Sequence, residues 1–169
     1  MIVRNKLWNE IDIAHANVIC ITHYTSGQRK CNRAHQLFIG LCAGCGVVVY
    51  PFAEWAPIIS TIAISLVSIV KAVFPQLTQS EEELCKLDGI MEYYIKYQNF
   101  IEKLLYDLDE KIKTEDEVLT ILLERKEIES QMLCEMNRLV RWIPNFQRRR
   151  NDNENQIYLK EVHYNIYGE

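Results

Sequence analysis

Apolar and polar positions alternate in four different ways along this chain, and each pattern predicts an element. From Asn5 to Asn32, Leu7, Trp8, Ile11, His15, Val18, Ile19 and Thr22 recur near helical spacing, which predicts an amphipathic helix, continuous or broken at Ser26-Gly27. Two charge-free runs follow, Leu37–Phe52 and Trp55–Val70, separated by a break built from Pro51, Glu54, Trp55 and Pro57. Each is about 16 residues, or roughly 24 Å of helix, a little short of the roughly 20 residues that a bilayer core requires. His35, Gln36 and Lys71 can extend the runs by snorkelling, and Tyr50, Phe52 and Trp55 suit an interface. Both faces of each run are apolar, so a transmembrane hairpin over 37–74 is expected, with a hairpin buried inside a helical protein as the alternative.

Beyond Leu84 the pattern becomes strictly heptad. Leu84, Leu87, Met91, Tyr94, Gln98, Ile101, Leu105, Leu108 and Ile112 alternate in steps of three and four, an a/d seam with one polar insertion. Lys111 and Lys113 suit the C-terminal end of that helix. Thr114 and Glu117 form a capping box that opens a second helix, Glu115 to about Trp142, with Val118, Ile121, Leu122, Ile128, Met132, Met136, Leu139 and Ile143 inward and Pro144 ending it. Asn151–Gln156 has the composition of a polar loop, and Ile157–Tyr167 alternates loosely, as a short strand or a docking segment would. The expected fold is all-α and oligomeric: an amphipathic N-terminal helix (1–36), a transmembrane helical hairpin (37–74), a long cytoplasmic helical hairpin (75–147) and a basic and polar C-terminal tail (148–169).

Charge adds an orientation. The net charge of -4 conceals blocks: residues 1–35 carry five bases and two acids (+3), 81–135 seven bases and sixteen acids (-9), and 136–150 five arginines and no acid (+5). Arg29, Lys30 and Arg33 precede the first apolar run and Lys71 follows the second, so the positive-inside rule predicts that both termini are cytoplasmic. No cleavable signal peptide is expected, because the N-terminus is polar and amphipathic.

Candidate chemistry is sparse. The six cysteines are scattered; Cys42 and Cys45 form C-x-x-C inside an apolar helix without a second pair, so no metal and no cofactor is expected. Phosphate-loop, dinucleotide and nucleophile-elbow motifs are absent, and four histidines without a facing nucleophile give no triad, which argues against an enzyme. Gly40 and Gly44 make a G-x-x-x-G suited to close helix packing. Thr61, Ser65 and Ser68, with Lys71 extending the stripe, either bond their own backbone or line a narrow aqueous path. Arg138, Arg141 and Arg148 belong to the most basic stretch, and Trp142 beside them can stack on a base. These arginines suit a nucleotide's phosphates, lipid headgroups or the acidic hairpin.

The order of elements, together with the stretches FIGLCAGCG, ISTIAISLVSIVKAVF and MEYYIKYQNFIEKLL, resembles the SLATT family, two-transmembrane effectors associated with bacterial nucleotidyltransferases and nucleotide sensors. The resemblance covers roughly Leu7 to Ile143. It implies a pore-forming effector of antiphage defence that opens to depolarise or permeabilise the inner membrane, gated by a nucleotide or oligonucleotide signal from a partner nucleotidyltransferase. Two membrane helices cannot enclose a water path alone, so a cyclic homo-oligomer is expected, with a tetramer preferred and the seam at 84–112 supplying the contact. The alternatives are a non-conducting membrane-anchored scaffold whose coiled-coil hairpin recruits a partner, and a helical interaction module outside the bilayer.

Overall fold

The structure, a computed structural model, describes residues 2–49, 55–73, 79–141 and 143–167, with the side chains of 45–49, 56, 70–73 and 162–167 outside the description. The described residues form five helices and no strand: α1 Ile2–Val49, α2 Ala56–Val73, α3 Glu81–Asp109, α4 Glu115–Leu139 and α5 Asn145–Tyr167. The expected all-α class holds. The chain divides into two compact units, one of Met1–Thr25 with Glu82–Glu169, the other of Ser26–Glu81.

The first unit is a bundle of the start of α1 with α3, α4 and α5. Helices α1 and α3 run antiparallel, since Arg4 pairs with Asp109 at one end (3.3 Å) and Thr22 Oγ1 meets Met91 Sδ further along (3.2 Å). Helix α4 returns along α3, with Glu83 held by Arg141 at 2.8 Å near the open end. Leu7, Ile11 and Ile21 of α1, Leu84, Leu87, Tyr94 and Ile101 of α3, and Val118 of α4 are fully buried. Each such side chain contributes on the order of 1.5–3 kcal/mol of transfer free energy.

Helix α3 carries most of this core. Five members of the heptad seam are buried (Leu84, Leu87, Tyr94, Ile101 and Leu105), while Met91, Gln98 and Leu108 are half-buried. Ile112 lies past the helix end and is exposed. A second stripe is buried as well: Ile90, Tyr97 and Leu104 interleave with the seam at steps of three and four. A helix packed on several neighbours needs this wider face, whereas a strict a/d seam serves a single partner. The seam therefore packs within its own chain, and the expectation that it joins protomers is corrected.

Local chemistry fixes the ends. Lys111, with φ 57°, occupies the left-handed position that follows α3. Its N–H donates to Leu108 O at 3.1 Å and that of Ile112 to Asp107 O at 2.8 Å, the paired bonds of a Schellman motif. Lys113 adds an ion pair to the Asp107 carboxylate. Thr114 then caps α4 with both bonds of the expected capping box present. Helix α4 stops at Leu139, a few residues ahead of Pro144, with Val140 already extended. Residues 151–156 and 157–167 are neither loop nor strand; both belong to α5. The helical period there is carried by Asn151, Asn155 and Tyr158, at i, i+4 and i+7, the two asparagines buried and the tyrosine half-buried. A stripe of polar side chains does not register as an amphipathic face.

In the second unit α1 continues unbroken through Ser26-Gly27 to Val49. The segment before α3 is tied to it by Asn32 Nδ2, which donates to Gln79 O at 3.0 Å, and by the Gln79 N–H, which donates to Gln28 Oε1 at 3.3 Å. Among the described residues no helix is long and apolar enough to cross a membrane. After Gln36 the described part of α1 offers about 13 residues, roughly 20 Å, and α2 about 15 before Lys71, roughly 22 Å. Both fall short of a hydrocarbon core of roughly 30 Å. The expected membrane hairpin, the inner-membrane placement and the channel built on them are corrected accordingly. The Pro51–Glu54 break itself lies outside the described residues.

Candidate functional site

The densest polar chemistry in the first unit lies where α1, α3 and α4 meet. Helical spacing places Glu10 beside the Leu7 and Ile11 stripe of α1, and Glu129 seven residues from both Leu122 and Met136 on the buried stripe of α4. Both carboxylates are consequently drawn into the core, Glu129 at 2 % exposure and Glu10 at 9 %. Such charges are tolerated only when paired and hydrogen-bonded. Lys126 supplies the charge: its Nζ donates to Glu10 Oε1 at 2.8 Å and Oε2 at 2.7 Å, and pairs with Glu129 Oε2 at 3.3 Å. Tyr97 OH donates to Glu10 Oε2 at 3.1 Å, and Tyr94 OH to Glu129 Oε1 at 3.4 Å. All four carboxylate oxygens thus have a donor.

The electrostatics follow from that inventory. Burial pulls the Lys126 ammonium down, but the carboxylates of Glu10 and Glu129 outweigh it and hold its pKa above the ordinary value. Burial, then the adjacent carboxylates, push the phenols of Tyr94 and Tyr97 well above the usual tyrosine range. Both phenols therefore stay neutral donors, and Lys126 stays charged. Beside this cluster a pocket of about 530 Å³ opens between α1 and α4. Asn5, Lys6, Asn9 and Glu10 form one wall and Leu119, Leu122, Leu123 and Lys126 the other.

A second cluster docks α5. His15 stacks on Tyr158 with ring centroids 3.6 Å apart, and its Nδ1 lies 2.7 Å from Asn155 Oδ1. Asn155 Nδ2 also donates to Asp12, while Tyr158 OH donates to Glu102 Oε1 at 2.8 Å. His23 lies 2.6 Å from Glu154, which Arg150 also holds at 2.8 Å. His15 and His23 thus serve as polar docking groups for α5.

The residues singled out from sequence are dispersed. Arg138 is exposed in the last turn of α4, Arg141 pairs with Glu83, and Arg148 of α5 lies near enough to Cys20 to oppose the upward push that burial gives that thiol. Trp142 lies outside the described residues, as do the side chains of Lys71 and Cys45. In α2, Thr61 Oγ1 donates to Pro57 O at 2.8 Å, and Ser65 and Ser68 are exposed. Gly40 and Gly44 are exposed, and a Cβ built on either meets no heavy atom within 4 Å. Among the described residues no group of histidine, cysteine and acidic side chains could hold a metal ion. Glu10, Lys126, Glu129 and Tyr97 were not legible as a site. The usable signal was a glutamate on each of two otherwise apolar stripes. Comparison with protein-family models, with characterised proteins and with solved structures finds no match.

Proposed function

We propose that the chain acts by binding rather than by catalysis, as a helical interaction protein that self-associates through its Ser26–Glu81 unit. One observation carries this: the unit presents large apolar side chains to solvent, with Leu37 68 %, Leu41 66 %, Ile58 62 % and Leu66 59 % exposed. Phe38, Ile59, Ile62 and Ile69 add to them. At roughly 150–200 Å² per large side chain this amounts to on the order of 800 Å². Summed over these eight side chains, that is about the area one side of a standard interface buries. A second copy suits the surface because the two runs that carry these side chains, Leu37–Phe52 and Trp55–Val70, are each charge-free, so that apolar can face apolar, and because the space around Gly40 and Gly44 admits a partner's backbone.

The stretches FIGLCAGCG, ISTIAISLVSIVKAVF and MEYYIKYQNFIEKLL, which resemble SLATT effectors, motivate a responder role within this proposal. A partner nucleotidyltransferase would then supply the signal, and Arg138, Arg141 and Arg148 are the residues to test against it. Sedimentation velocity tests the self-association itself. The full chain should sediment as an oligomer, and Leu41→Glu with Leu66→Glu should return it to monomer. A monomeric wild-type chain, or one that floats with neutral phospholipid vesicles only through those two leucines, would refute a protein–protein role for this surface.

A further inference from the structure

We infer that the pocket between α1 and α4 is a binding site for a small amphiphile with an alkyl body and a single anionic head, of the fatty-carboxylate class. The site lies wholly in the first unit and is independent of the self-associating surface. Its volume, about 530 Å³, falls in the range of sites that enclose small ligands. The wall from α4 is aliphatic, and Leu123 stands 62 % exposed on it without a covering neighbour. An alkyl chain laid there would remove that surface from water.

The polar side of the pocket selects the head. Glu10 looks like a cation site, but both its oxygens already accept bonds from Lys126 and Tyr97, and Lys126 is shared with Glu129. Lys126, its three N–H donors taken, has none left for a ligand head. Lys6 differs: it is exposed on the pocket wall, and among the described residues no carboxylate lies within ion-pair distance of it. Asn5 and Asn9 stand one residue before and three after it on the same wall, with side-chain amides that make no hydrogen bond among the described residues. The groups on this wall that make no bond within the described residues are therefore one ammonium, which sets the sign of the head, and two amides, each able to donate through its NH2. A monoanion with two acceptor oxygens satisfies them, and an ammonium head would meet Lys6 with like charge. One lysine also favours a monoanion over a dianion.

Calorimetry on the full chain tests this, with decanoate, decanol and decylammonium each kept below its micelle concentration. Decanoate should bind once per chain, and decylammonium at least tenfold more weakly. Lys6→Glu and Leu123→Glu should each weaken decanoate at least tenfold, while Leu41→Glu, in the other unit, should leave it unchanged. Both pocket positions are exposed, so the fold should survive; should circular dichroism show lost helix, Lys6→Gln and Leu123→Ser replace them. The absence of saturable decanoate binding would overturn the site. Loss of binding in Leu41→Glu with retention in Leu123→Glu would place the ligand on the self-associating surface instead. Equal affinity for decylammonium, or an unchanged Lys6→Glu, would overturn the assignment of the head.

Discussion

Lys126→Met isolates what the cation does for the core. The thioether chain keeps most of the volume of the lysine stem but leaves Glu10 and Glu129 buried without a positive partner. Breaking a fully buried pair in this way costs about 3–5 kcal/mol. Here Lys126 is 41 % exposed, so water offsets part of the loss, and about 2–3 kcal/mol at pH 7.5 is expected. For a chain of this size that lowers Tm by roughly 5–10 °C. Urea denaturation followed by circular dichroism at pH 7.5 measures the deficit directly. Glu129→Gln in the Lys126→Met background should recover part of the loss at pH 7.5. No deficit in Lys126→Met, or no recovery on adding Glu129→Gln, would refute the shared-cation account.

Lys111→Gly should stabilise the chain by about 0.5–1 kcal/mol in urea denaturation, because glycine adopts the left-handed conformation without the Cβ penalty; a loss of stability would mean that the Lys111 side chain contributes more than its φ of 57° costs. Thr114→Ala removes the side-chain half of the capping box and should cost about 1 kcal/mol, while Thr114→Ser should cost far less. Tyr158→Phe deletes the bonds to Glu102 and Gln98 and should cost about 1 kcal/mol, with faster amide exchange concentrated in α5; uniform acceleration across the bundle would show that α5 does not open separately. Arg138→Ala with Arg141→Ala breaks an ion pair that is about one-third exposed, so stability should change by under about 1 kcal/mol, while the nucleotide binding that the proposed responder role requires should be lost by calorimetry. Unchanged affinity in that variant would move the nucleotide site away from the end of α4.

Where aliphatic residues carried the period, the sequence was readable. The Leu84–Leu105 stripe, the inward face of α4 at Val118, Leu122 and Met136, and the Thr114 cap all lie where the pattern predicts. Where polar residues carried it, the period was hidden. Helix α5 is positioned by Asn151, Asn155 and Tyr158, and no hydrophobicity template scores asparagine as inward-facing. The same blindness concealed the Glu10–Lys126–Glu129 cluster. Its members are spaced as core residues but typed as surface ones, and only their partners on other helices make the burial tolerable. Charge counting by blocks was no substitute, because the acids of 81–135 and the bases elsewhere meet singly, as Glu83 with Arg141 and Asp109 with Arg4.

The apolar runs of 37–70 pose a different problem, since their composition was correctly read and their context was not. A hydropathy window counts apolar residues without knowing where the helix around them begins. The first run is the far end of a 48-residue helix that starts at Ile2, and the second is the body of an 18-residue helix with Lys71 near its end. Neither provides the uninterrupted length that a bilayer demands within the described residues. The physical pressure that suggested a membrane nevertheless persists. Several hundred square ångströms of aliphatic surface around Leu37, Leu41, Ile58 and Leu66 cannot be balanced by a core of their own in a unit this small. The proposed self-association would cover it, and apolar runs without charge of their own give a charged partner no register. A copy of the same stretch provides both the apolar area and the small residues for close approach. Under the proposed self-association, the oligomeric state is therefore the property to measure before any side-chain chemistry.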